Sequence, residues 1–142
     1  MRTIFIFLLF LSGITGSKAQ TFSINSLIGT KWAQIKDYEA NSKTTIEFND
    51  TAMVETVTFL YGTKNTHRFV RPYYLSKEVP TSFDKSLVGK TKTGIHLVLL
   101  YKFGEMDYMT IKKITSDILM LHHRKTNNIG GYEHTFVYKR IK

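Results

Sequence analysis

Five histidines, His67, His96, His122, His123 and His134, are the side chains of this sequence best suited to proton transfer or metal binding. Their spacing builds neither a zinc helix nor a protease-like motif, because none stands in H-x-x-x-H or H-E-x-x-H order. His122 and His123 are adjacent, so on a strand they point to opposite faces. Whichever points inward lies near His134 across the last hairpin. Two imidazoles fall short of the three or four ligands a zinc site takes. The expectation is no metal, and instead a pocket histidine hydrogen-bonded to Tyr138 or Tyr132.

The acidic residues Glu47, Asp50, Glu55, Glu78, Asp84, Glu105, Asp107, Asp117 and Glu133 fall mostly at strand ends or on polar faces. No two can be paired in a pocket from the sequence. Gly-x-Ser-x-Gly and glycine-rich phosphate loops are both missing. There is no cysteine, hence no thiolate nucleophile, no disulfide framework and no cysteine metal site. These observations predict a protein that is not an enzyme and carries no cofactor, although a pocket of His and Tyr retains groups able to move a proton.

The elements that would position such a pocket are strands. Runs rich in Thr, Val, Ile, Tyr and Phe recur about every 8–12 residues between Gly, Asn, Asp and Ser, the spacing of a sandwich or barrel. Strands are expected near 31–37, 43–48, 53–61, 66–75, 95–102, 107–114, 117–124 and 132–140, with a helical turn within 22–28. Residues 77–93 break the rhythm with Pro80, Gly89 and few apolar residues. A loop of that length tends to be functional, and a short extra strand or a flap over one end is expected there.

Two hairpins fix faces. Gly104 suits the first central position of a two-residue type II′ turn. That register sets Lys102 against Asp107, Tyr101 against Tyr108, Leu100 against Met109 and Val98 against Ile111. Around Thr115-Ser116 the pattern leaves two registers open, with Ile111 against Met120 or Leu119. In the last strand Tyr132, His134, Phe136 and Tyr138 alternate with Glu133, Thr135, Val137 and Lys139, so the aromatic face is expected to point inward. About eight antiparallel strands joined in sequence hide their edges best as an up-and-down barrel, with a two-sheet sandwich as the alternative.

The N-terminus reads as an address. Met1-Arg2 precedes the apolar run Ile4–Leu11, and Ser17-Lys18-Ala19 places small residues before Gln20. This is the layout of a secretory signal peptide over residues 1–19, cleaved after Ala19. The apolar core is too short for a membrane-spanning helix, which takes about 20 residues. Without a cysteine at the cleavage site the product is expected to be unlipidated, and periplasmic or extracellular. The formal charge of +9 falls to +7 once the leader's Arg2 and Lys18 are removed. The cations are scattered, which reads as a solvated surface with some attraction for anionic envelope lipids or glycans, and not as a nucleic-acid site.

Four stretches carry a resemblance. They are Leu27-Ile28-Gly29-Thr30-Lys31-Trp32, then Tyr74-Leu75-Ser76 with the loop around Phe83, then Met109–Leu121, and finally Phe136-Val137-Tyr138-Lys139-Arg140. In these the chain resembles small exported lipocalin-like proteins of Bacteroides-type bacteria over most of residues 20–142. Lipocalins usually space the first motif Gly-x-Trp, whereas here it is Gly29-x-x-Trp32. The resemblance implies a barrel with Trp32 closing one end beneath a C-terminal arginine, Arg140 in the first place and Arg124 in the second.

Two functions follow. In one, the barrel binds a small apolar or amphipathic molecule, with Tyr132, His134, Phe136, Tyr138, Met109 and Ile111 as its wall. In the other, the barrel core is filled and an outer face contacts a cell-envelope protein. Ile95–Tyr101 is apolar on both faces, so its outer side needs the N-terminal segment or a partner to cover it.

Overall fold

Strand pairing closes the chain on itself. The computed structural model describes residues 20–35, 41–63, 65–124 and 133–142. A two-residue strand β1 (Phe22–Ser23) is followed by a 3-10 turn (Ile24–Ser26) and then β2 (Lys31–Gln34), β3 (Ser42–Phe48), β4 (Ala52–Phe59) and β5 (Asn65–Ser76). After a second 3-10 turn (Lys85–Leu87) come β6 (Thr93–Gly94), β7 (His96–Leu100), β8 (Met106–Ile114), β9 (Ile118–His123) and β10 (His134–Ile141). Eight of these form a closed barrel in the order β10-β2-β3-β4-β5-β7-β8-β9, every neighbour antiparallel. The fold is all-β, and closure of β10 onto β2 excludes the sandwich. This up-and-down barrel is the lipocalin-like architecture that the sequence resemblance implied.

Inward and outward residues alternate as a half-buried strand requires. Trp32, Ile46, Phe48, Met53, Tyr73, Leu75, Leu97, Leu99, Met109, Ile111, Leu119, Leu121 and Tyr138 form one buried cluster. Phe22, Ile24 and Leu27 join it from below. The 3-10 turn thus stoppers the end where β2 begins, tied down by Ile24 N donating to Lys92 O and Gly29 N to Phe48 O. Phe48 and Tyr73 meet edge to face there at 5.5 Å. At Gly94, where β1 and β6 pair, a Cβ would lie 2.7 Å from the Ser76 nitrogen, so only glycine lets these backbones approach.

The β7–β8 register differs from the one the sequence suggested. Val98 faces Tyr108, Leu97 faces Met109 and Leu99 faces Asp107, an offset of three residues, so Lys102 does not pair with Asp107 nor Val98 with Ile111. The cause is the turn. Gly104 does not open a two-residue loop; it ends a three-residue one, with Tyr101 N donating to Glu105 O at 2.7 Å. Phe103 and Gly104 both take left-handed backbone, at φ 76° and 80°. An odd offset exchanges the faces of β7 relative to β8, so Leu97 and Leu99, not Val98, join Asp107, Met109 and Ile111 on the inner face.

The β8–β9 turn also departs from both expected registers, since Ile111 faces Leu121. Its loop centres on Ser116-Asp117, with Thr115 N bonded to Ile118 O, and a bulge between Ile111 and Lys113 absorbs one residue.

Residues 77–93 run into the short extra strand β6, which pairs with β1 beside the stopper turn. Before that strand the segment lies along the barrel's outside, where Phe83, Leu87 and Val88 cover Tyr74, Val98 and Tyr108. The Tyr74 hydroxyl donates to Ser82 O and accepts from Asp84 N. The outward Val98 of β7 is therefore covered by this chain's own loop.

Candidate functional site

Above the stoppered half, side chains stop filling the barrel. A cavity of about 420 Å³ opens toward the end where β3 starts and β4 finishes. Its floor and walls are Ile46, Met53, Met109, Phe59, Phe136, Tyr138 and Tyr101. Its polar groups are Gln34, Ser42, Thr44, Glu55, Arg71 and His123. The volume lies within the usual ligand-pocket range of roughly 300–1,000 Å³.

Alternation along each strand aims these groups. On β4, Met53, Glu55 and Phe59 share the inner face, and on β5 Arg71 shares it with Tyr73. Arg71 Nη1 donates to Glu55 Oε2 in an ion pair whose side chains are only 13% and 24% exposed. Its guanidinium also lies 4.5 Å from the Tyr101 ring centroid and 5.1 Å from that of Phe69. Burial pushes the Tyr101 phenol up to about 12, with Arg71 opposing and Asp107 and Glu55 adding to the rise. Across the barrel, His123 Nε2 lies 2.6 Å from Asp107 Oδ2. Asp107 Oδ1 accepts from Tyr108 N.

Of the six residues read from sequence as the pocket wall, Phe136, Tyr138 and Met109 line the cavity. Ile111 is 2% exposed and belongs to the filled core below it. His134 is at the rim side of Phe136, ring to ring at 4.6 Å, and not in the cavity wall. Tyr132 lies outside the described residues. The inward face of β9 is Leu119, Leu121 and His123, and His123 faces His134 across the hairpin. The cavity histidine, His123, has Asp107 as its partner. His122 points outward to Thr135 and Glu133.

Sequence reasoning missed Glu55, Arg71, Asp107 and Tyr101. Parity with Met53 and Phe59 would have turned Glu55 inward, and parity with Tyr73 and Leu75 would have turned Arg71 inward. Parity with Met109 and Ile111 would likewise have turned Asp107 inward. Among the described residues no group of three or more His, Cys, Asp or Glu is arranged to hold a metal ion.

No protein-family model and no curated protein matches this chain. Among solved structures it is similar to lobster apocrustacyanin A1, at 15% sequence identity and a TM-score of 0.45. The match covers 82% of this chain and 62% of that one.

Proposed function

We propose that this chain is an exported, non-catalytic binding module that holds a small apolar or amphipathic molecule in the open half of its barrel. One observation carries the reading: the barrel is packed solid around Trp32, Phe48 and Tyr73 but leaves about 420 Å³ above them, walled by Met and aromatic side chains. A few polar groups on an apolar wall orient a ligand without chemistry. Ser42 and Thr44, the aliphatic hydroxyls of the cavity, make no hydrogen bond to an imidazole among the described residues, so neither is set up as a nucleophile. Export rests on the leader of residues 1–19, with the domain starting at Gln20. The outer-face interaction reading loses part of its support, because Phe83, Leu87 and Val88 already cover Val98, an outward residue of β7.

Native mass spectrometry of protein purified from its own host tests the reading. A retained small-molecule adduct on a chain starting at Gln20 is expected. A chain that still carries Met1 in the membrane fraction would contradict the export half, and a protein partner in place of an adduct would favour the interaction reading.

A further inference from the structure

Beside β5 the barrel wall has a seam that no strand pairing crosses among the described residues. Asn65–Pro72 pair with β4 on one side, but β7 pairs only with Tyr73–Ser76 on the other. A proline sets the point where that ladder ends. Tyr73 N donates to Thr51 O on the β4 side, so the preceding backbone nitrogen faces β7. That nitrogen belongs to Pro72 and has no hydrogen to give. On the facing strand the chain turns away just past Leu100, where Tyr101 N donates to Glu105 O within the β7–β8 loop.

Side chains close the seam. The Arg71 guanidinium lies against the Tyr101 ring on one side and the Phe69 ring on the other. Arg71 and Tyr101 line the inner cavity, and both also line a groove of about 600 Å³ on the outside, between β5 and the β7–β8 loop. They are the partition between the two spaces. The groove is apolar on both flanks, with Phe69 and Val70 on β5 and Phe103 on the loop, 43%, 55% and 90% exposed.

A paired wall opens only by breaking backbone hydrogen bonds in series, whereas this partition opens when two side chains rotate. An apolar molecule lodged in the groove has already left part of its water before they move. We infer that the seam is a side door: a small apolar molecule reaches the cavity from the outer groove by displacing Arg71 and Tyr101. This rests on the binding-module reading above and adds the route to it. The barrel mouth is the rival route.

The chain has no cysteine, so a single introduced thiol can be capped alone with a polyethylene glycol maleimide. Val70→Cys puts the cap in the groove, and Leu60→Cys puts it just past Phe59 at the mouth. Exchange of the neutral apolar dye N-phenylnaphthylamine is then followed by stopped-flow fluorescence. The cap at Val70 is expected to slow association and dissociation alike, about tenfold or more, with Kd unchanged, because obstructing a route alters rates and not the equilibrium. The cap at Leu60 should leave both rates as they were. Tyr101→Ala thins the partition and should raise both rates; if it fails to fold, the caps decide alone. Equal slowing by the two caps, slowing by the Leu60 cap alone, slowing by neither, or unchanged rates in a folded Tyr101→Ala overturns the side door and leaves the cavity reading standing. No dye binding to the unsubstituted protein overturns both.

Discussion

Arg140 stands directly across from Trp32 in the β10–β2 ladder, its guanidinium 5.7 Å from the indole. Trp32 is fully buried, and its Nε1 donates to Thr30 Oγ1 at 2.7 Å. Thr30 in turn donates to Leu27 O. One chain of hydrogen bonds thus joins the stopper turn to the barrel floor, with an arginine over the ring. Arg124, the other arginine considered for this place, lies against Tyr108 on the outside, 4.5 Å from its ring centroid.

Thr30→Val keeps the shape but leaves the buried indole N–H without an acceptor. A loss of about 1–3 kcal/mol is expected. Trp32 is the only tryptophan, so its fluorescence during urea unfolding reports the change directly. Arg140→Ala should cost less, about 0.5–1 kcal/mol, because its side chain is exposed to solvent.

Gly94→Ala puts a methyl 2.7–2.8 Å from backbone and Cβ atoms of Ser76 and Leu75. Backbone cannot move aside as a flexible side chain can, so a loss of about 1–3 kcal/mol is expected, measured as a lower urea midpoint.

Phe103 takes φ 76° and is 90% exposed, so its ring contributes almost no burial to offset its backbone conformation. Phe103→Gly should leave stability unchanged or raise it by up to about 1 kcal/mol, while the β-branched Phe103→Val should lower it. Equal thermal midpoints for the two variants would contradict this.

Burial lowers the pKa of His96, with Arg124 and Lys112 adding to that and Glu78 opposing it. The ring is bonded through Nδ1 to Thr110 Oγ1 and packs edge-on to Tyr108. The unfolded chain therefore takes up this proton first, near pH 6.5. Stability should fall as pH drops from the ordinary imidazole value through the lowered folded one. His96→Gln should flatten that part of the stability–pH curve, and an NMR titration should place His96 below an ordinary histidine.

The barrel was legible because alternation and turn spacing are local signals. Tyr138 and Phe136 turn inward as read, and the turn at 22–28 is there. What failed was loop length. Gly104 is a turn signal in either a two- or a three-residue loop, and sequence pattern does not separate them when both registers pair apolar residues. That ambiguity put Val98 of β7 on the wrong face, whereas Asp107 keeps the parity of Met109 and Ile111, which was not followed back to it. Glu55 and Arg71 were missed in the same way: a charged residue on a strand reads as outward unless the strand's parity is followed past it.

The upper half of the barrel is an accessible cavity. Thr44 sits in its wall, opposite Val57 on the neighbouring strand, and Thr44→Phe would fill the space without touching the packed floor. The direct measurement is titration of an environment-sensitive apolar dye into the unsubstituted protein and into Thr44→Phe, with urea unfolding of both. Micromolar or tighter dye binding is expected, abolished in Thr44→Phe while the urea midpoint holds. Dye binding that survives in a folded Thr44→Phe, or no binding to the unsubstituted protein, would contradict it.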